Sequence, residues 1–138
     1  MRLVLDTNVV ASALFWNGTP RWLLQSARDK RIELFTSTPL LAELTNILWR
    51  DTFDKKLDAA MLTIDQLVDR YAELTTLVRP APIPRVTPDP DDDVVIGTAL
   101  AARADCIVTG DRTFLAVGEY RGVQIVSVAV AVQLISAG

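Results

Sequence analysis

The 138-residue chain has no histidine and a single cysteine, Cys106. Without an imidazole, neither a Ser-His-Asp nor a Cys-His catalytic device can be assembled, nor a zinc site built on histidine. One cysteine excludes an intrachain disulfide and any thiolate-rich metal cluster, and it points to a reducing compartment. No Gly-rich phosphate-binding loop occurs among the 6 glycines. Long hydrophobic runs are missing too. The run Leu3–Leu5 is cut short by Asp6, too brief for a signal-peptide core. The stretch from Val123 to Ala137 is interrupted by Gln124, Ser127 and Gln133 and falls short of the roughly 18 apolar residues of a membrane span. These absences predict a soluble cytoplasmic protein with no membrane partner. Its chemistry would rest on carboxylates, hydroxyls, basic side chains or a bound cofactor.

What is present is enough apolar material, 50% of residues, for one domain spanning 1–138 with a sizeable core. The charge balance, 14 basic residues against 17 acids, gives a net charge of −3. Taken alone, that balance argues mildly against a nucleic-acid partner, because phosphates favour a basic surface.

Along the chain, apolar runs alternate with helical patterns. Arg2–Asp6 reads as a buried strand ending in an acid. Asn8 is placed to cap a helix over Val9–Trp16, Asn17-Gly18 breaks it, and Pro20 suits the first turn of a second helix ending near Arg28. Ile32–Phe35 is a second strand. Thr38-Pro39 opens a helix that buries Leu40, Leu41, Leu44, Ile47 and Leu48. Leu57, Met61, Ile64, Leu67, Val68 and Tyr71 predict a long amphipathic helix. Five prolines between Pro80 and Pro90 impose an extended connection, read here as a crossover loop within one domain. A run of acids then leads into a helix from about Val94 to Arg103. Cys106–Thr109 and Val123–Val126 are strands, and Val128–Ile135 is a closing helix. Strands alternating with helices predict an α/β fold with a parallel sheet covered on both faces.

Four acids stand where such a fold puts function. In open parallel sheets, ligands bind outside the carboxyl ends of the strands, where strand order reverses. Asp6 sits at one such end and Asp111 just past another; capping the next helix is the plain alternative for each. Glu43 borders the buried stripe of its helix, where a carboxylate needs a counter-ion, a proton or a cation. Asp93 shares the spacing i, i+3, i+4, i+7 with Ile96, Gly97 and Leu100, at the positive end of a helix dipole. Asp91 points elsewhere and suits a plain cap, whereas Asp92 also lies near the inward face, with Ala99. Carboxylates gathered in one crevice repel unless something positive sits among them. Hard oxygen donors of this kind suit Mg2+ or Mn2+. The chemistry natural to such a site is metal-assisted hydrolysis of a phosphodiester, in which the ions activate a water and stabilise the leaving oxygen. Setting those four acids aside leaves 13 acids against 14 basic residues, so the acidity belongs to one crevice and does not argue against a nucleic-acid partner.

The opening LVLDTNV, the inward Glu43, the run DPDDDVVIGTALAARAD and the following IVTGD together resemble, in order and over nearly the whole chain, the PIN-domain ribonucleases. The likeness is strongest to the toxin-like (VapC-like) members of type II toxin–antitoxin pairs. The resemblance implies a three-layer α/β/α sandwich around a central parallel sheet, bound Mg2+ or Mn2+, and cleavage of RNA. It implies that Asp6, Glu43, Asp93 and Asp111 are the catalytic, metal-holding acids, with Asp92 the alternative third ligand. Asn8 and the hydroxyl of Thr109 would be supporting polar groups. A homodimer and a small cognate antitoxin are implied partners.

Outside this set, Arg112 beside Asp111 is the best candidate for contacting RNA phosphate. Arg21, Arg28, Lys30, Arg31, Arg50, Lys55 and Lys56 read as solvated charge by default. Phe15, Trp16, Trp22, Trp49 and Phe53 could stack on bases, but aromatics at helical spacing usually serve the core or an interface. Cys106 is expected to be packing. Three other readings compete: a non-catalytic RNA- or protein-binding module of the same fold, an RNA-processing nuclease without a toxin role, and a phosphotransfer domain. The last would want a lysine near a later strand end, and the chain has none after Lys56.

Overall fold

In the computed structural model, which describes residues 1–50 and 63–138, the described elements build three layers. In chain order they are β1 (Arg2–Leu5), α1 (Thr7–Phe15), α2 (Thr19–Arg28), β2 (Glu33–Thr36), α3 (Thr38–Leu48), α4 (Ile64–Leu74) and β3 (Thr75–Leu77). There follow α5 (Pro90–Ala102), β4 (Cys106–Val108), α6 (Arg112–Leu115), β5 (Glu119–Tyr120), β6 (Val123–Val126) and α7 (Val128–Ala137). The strands form one six-stranded sheet in the order β3-β2-β1-β4-β6-β5. All pairings are parallel except that of β5 with β6. The sheet is therefore mostly rather than wholly parallel, because the two-residue β5 returns by a short turn to pair with β6.

Period-two alternation sends neighbouring strand residues to opposite layers. Leu3, Leu5, Leu34, Cys106 and Val108 pack with Val10 of α1, Leu23 of α2, Leu44 and Leu48 of α3, Leu67 of α4 and Ala131 of α7. Val4, Phe35, Ile107 and Ile125 face the other way, onto Val95, Ile96 and Ala99 of α5 and Phe114 of α6. The three-layer α/β/α expectation holds, and Cys106 is buried packing within it.

Several boundaries differ from the sequence reading. Helix α1 begins at Thr7, and its cap is Asp6, which accepts from the Thr7 amide at 2.8 Å, rather than Asn8. Helix α5 begins at Pro90 instead of Val94, because Asp89 caps it and Pro90 occupies the first turn without needing an amide partner. The cap is thus Asp89, not Asp91. The strand β3, the edge strand β5 and the single-turn α6 were not expected. Of the helix expected around residues 57–71, Ile64–Leu74 is present, and Leu57 and Met61 lie outside the described residues.

The proline-rich connection runs as a strap over α5. Its Ala81 amide donates to the Gly97 carbonyl at 3.0 Å. A Cβ on Gly97 would stand 2.5 Å from the Ala81 carbonyl oxygen, so only glycine lets strap and helix meet so closely.

Candidate active site

Strand β1 has β2 on one side and β4 on the other, so the chain builds outward in both directions from the β1–β4 junction. Such a junction opens a crevice beyond the carboxyl ends of the strands. Asp6 continues β1, its amide donating to Val108 of β4 at 2.9 Å. Its carboxylate is buried and doubly held: Oδ1 accepts from the Thr7 amide at 2.8 Å, and Oδ2 accepts from the Thr109 hydroxyl at 2.7 Å. Thr109 Oγ1 in turn accepts from the Asp111 amide at 3.1 Å, so one buried hydroxyl ties together the ends of β1 and β4. Asp111 is exposed and caps α6, Oδ1 accepting from Thr113. Capping engages only one carboxylate oxygen of Asp6 and of Asp111, so it leaves room for a further role of either acid.

Glu43 is half-buried on α3, as the spacing of Leu40 and Ile47 predicts. A buried contact between Ser37 Oγ and Thr98 Oγ1 at 2.9 Å links the start of α3 to α5. Because the Thr98 hydroxyl donates to the Val94 carbonyl, Ser37 is the donor in that pair.

The three aspartates at the start of α5 separate by direction. Asp92 is buried, and its carboxyl is pushed up to about 7, first by burial and then by repulsion from Asp6, Asp89, Asp111 and Glu43. Asp93 is equally buried but turned into the strap. Its Oδ1 accepts from the amides of Val86 at 3.2 Å and Thr87 at 2.9 Å, and its Oδ2 lies 3.2 Å from Arg85 Nε. The acid in electrostatic contact with Asp6, Glu43 and Asp111 is thus Asp92, whereas helical spacing pointed to Asp93. That spacing presumes a helix starting near Val94 and takes no account of a loop whose free amides need an acceptor.

The pKa shifts describe one shared field. Asp6 is raised by burial, an effect opposed by its bonds from Thr109 and Thr7 and reinforced by Asp111 and Asp89. Glu43 is raised by burial, with Thr7 lowering it and Asp91, Asp6 and Asp89 adding to the rise. Asp92 therefore lies within electrostatic reach of Asp6, Glu43 and Asp111, and Asp6 of Glu43 and Asp111, across four separate segments. Among the described residues no three acids stand close enough to close around an ion, so the set converges without forming a finished coordination shell. Its chemistry fits a hard divalent cation nonetheless: the donors are all oxygens, and a positive charge would reverse the repulsion that raises three of them. The buried Thr7 hydroxyl stands beside Glu43 and favours its charged form, opposing the effect of burial.

Sequence reasoning assigned no role to Thr7 or Asp89. For Asp89 the signal was the Asp-Pro pair at a helix start; for Thr7 nothing local marked its hydroxyl as buried. Asn8 is exposed and lines a groove of about 320 Å³ with Ser12, Pro20, Gly110, Asp111 and Val128. Arg112 is exposed on α6. Arg21 is engaged with Asn17, and Arg31 stacks over Trp22. Phe15 and Trp22 pack against the core, while Trp49 is exposed. Phe53, Lys55 and Lys56 lie outside the described residues.

Residues 2–113 match the profile of the family described as PIN domain. No curated protein matches the chain. Among solved structures, the chain is similar to one described as the crystal structure of VapBC2 from Rickettsia felis bound to a DNA fragment from their promoter. The TM-score is 0.61 at 15% identity, over 92% of this chain and 98% of that one, a likeness of fold. No helix among the described residues is long and apolar enough to cross a membrane.

Proposed function

The chain belongs to the PIN domain family, and from that premise we propose that it is a Mg2+- or Mn2+-dependent endoribonuclease, the toxin of a toxin–antitoxin pair, acting as one PIN domain in the cytoplasm. The observation that carries the nuclease reading is the shared field of Asp6, Glu43 and Asp92, each raised by burial and by the other acids of the crevice. Asp6, Glu43, Asp92 and Asp111 would hold the cation, with Asp92 in place of Asp93. A bound divalent ion supplies Lewis acidity, favouring attack of water on the phosphodiester and stabilising the leaving oxygen.

The chain's own residues do the positioning. Thr109 fixes the rotamer of Asp6 and, through the Asp111 amide, the start of α6. Ser37 and Thr98 hold α3 against α5, so that Glu43 and Asp92 keep a constant relation. Asn8 offers an exposed amide beside the acids, and Arg112 a cation for a flanking phosphate, a contact that positions the strand without reading it.

The toxin role and a small antitoxin are supported by the ordered motifs and by the likeness of fold to VapBC2, and a homodimer by the motif resemblance alone. Two experiments test these claims separately. Purified protein with Mn2+ or Mg2+ should cleave single-stranded RNA, with activity lost on chelation and in Asp92→Asn. Metal-independent cleavage, or equal cleavage by the variant, would overturn the site. Inducing the chain in a bacterial host should arrest growth, and the Asp6→Asn form should not. Active cleavage without arrest would favour an RNA-processing enzyme instead.

A further inference from the structure

The groove beside Asn8 lies between the N-terminal part of α1, the entry to α2, the turn before α6 and the first residue of α7. Its volume of about 320 Å³ falls at the lower end of the range for small-ligand clefts. It shares Asp111 with the acidic crevice, so a strand whose phosphate lies over the acids would pass its mouth. Its walls divide in chemistry. Pro20 and Val128 give apolar faces, while Asn8 and Ser12 supply an amide and a hydroxyl that each donate and accept. Flat apolar walls with a polar edge suit a splayed-out base, whose faces stack and whose edge hydrogen-bonds. A phosphate would meet a carboxylate there. Arg21 and Arg112 are exposed and each follows a lining residue in sequence, two cations that would be available to the backbone phosphates of such a strand.

We propose that this groove receives one unpaired nucleobase of the RNA, next to the phosphate being cut, its faces against Pro20 and Val128 and its edge against Asn8 and Ser12. The inference rests on the ribonuclease reading and deepens it, because it assigns the chain a base-binding subsite and therefore a sequence preference at one position.

Gly110 provides a selective probe. A Cβ there would meet no heavy atom within 4 Å, and its backbone is not in the positive-φ region. Because Gly110 itself lines the groove, a side chain there should take up groove space, and its Cβ meets no clash with the fold. The test compares Mn2+-dependent cleavage of a short single-stranded RNA with that of the same RNA carrying an abasic residue, moved one position at a time past the cut site. For the wild type, one abasic position adjacent to the cut should lower kcat/KM by roughly 5- to 100-fold, the worth of a stacked base. Gly110→Val should cut the intact RNA more weakly, mainly through KM, and respond less than twofold to the abasic residue. Ser12→Ala should fold normally and relax the preference among the four bases at that same position. If the wild type cuts the intact RNA but is indifferent to every abasic position, the subsite is refuted while the nuclease reading stands. A Gly110→Val variant as sensitive to the abasic residue as the wild type would refute the subsite in the same way. If the wild type cuts no RNA with either cation, both readings fall.

Discussion

The Thr109 hydroxyl donates to Asp6 Oδ2 at 2.7 Å, across 103 residues of sequence. The same oxygen accepts from the Asp111 amide, so a single side chain registers two of the four proposed ligands. This bond opposes the burial that raises the Asp6 pKa.

Thr109→Val should therefore raise the Asp6 pKa further and weaken Mn2+ binding by about 10- to 100-fold, the usual cost of losing an outer partner of a ligand. Stability should fall by about 1–2 kcal/mol, because a buried carboxylate oxygen loses its donor. Thr109→Ser should restore both. Calorimetric titration with Mn2+ and urea melts measure the two effects, and unchanged Mn2+ affinity in the valine variant would refute the link.

Asp92 and Asp93 should separate by phenotype. Asp92→Asn should abolish cleavage while leaving the fold intact. Asp93→Ala should instead lower stability by about 1–3 kcal/mol, since the amides of Val86 and Thr87 lose their acceptor and Arg85 its partner. Cleavage rates beside urea midpoints distinguish them. The reverse pattern, a stable but inert Asp93→Ala, would return the third ligand to Asp93.

The raised carboxyls make stability depend on pH in a defined direction. Asp92 has an ordinary value of 3.8 and a folded value of about 7. Between these limits the unfolded chain has lost its proton while the folded chain keeps it, so stability falls as the pH rises and levels off above about 7. Asp6 and Glu43 shift in the same direction and add to the same slope. With a chelator present, the protein should be more stable near pH 5 than near pH 8 by on the order of 1–2 kcal/mol, after allowing for solvent screening in an open crevice. Asp92→Asn should flatten that slope. Thermal melts across the range would contradict this if stability rose with pH.

Gly97→Ala should destabilise the fold although alanine is the better helix former by about 1 kcal/mol. The added methyl would stand 2.5 Å from the Ala81 carbonyl oxygen, a backbone atom that moves only with the strap. A net loss of about 1–2 kcal/mol is expected from such overpacking. Wild-type melting in this variant would show that the strap yields freely.

Several features were readable without coordinates because they rest on local physics. An apolar run that stops at an acid marked β1 and Asp6, and helical spacing put Glu43 at the border of a buried stripe. The ordered motifs pointed to the family that the profile match supports. The edge strand β3 was not readable, since Thr75, Thr76 and Leu77 carry no buried alternation. Its identity as a strand comes from pairing with β2.

Sequence alone thus determined the alternation of strands and helices, the exclusion of imidazole and thiolate chemistry, and which short segments bear acids at strand and helix ends. Only the tertiary structure decided which of two adjacent aspartates faces the crevice. Successive residues on a helix differ by about 100° in direction, so a small error in where α5 begins exchanges their roles. What settles the direction is non-local: Asp89 caps the helix at Pro90, and the strap presents two backbone amides and Arg85 that claim Asp93 and leave Asp92 to the other acids.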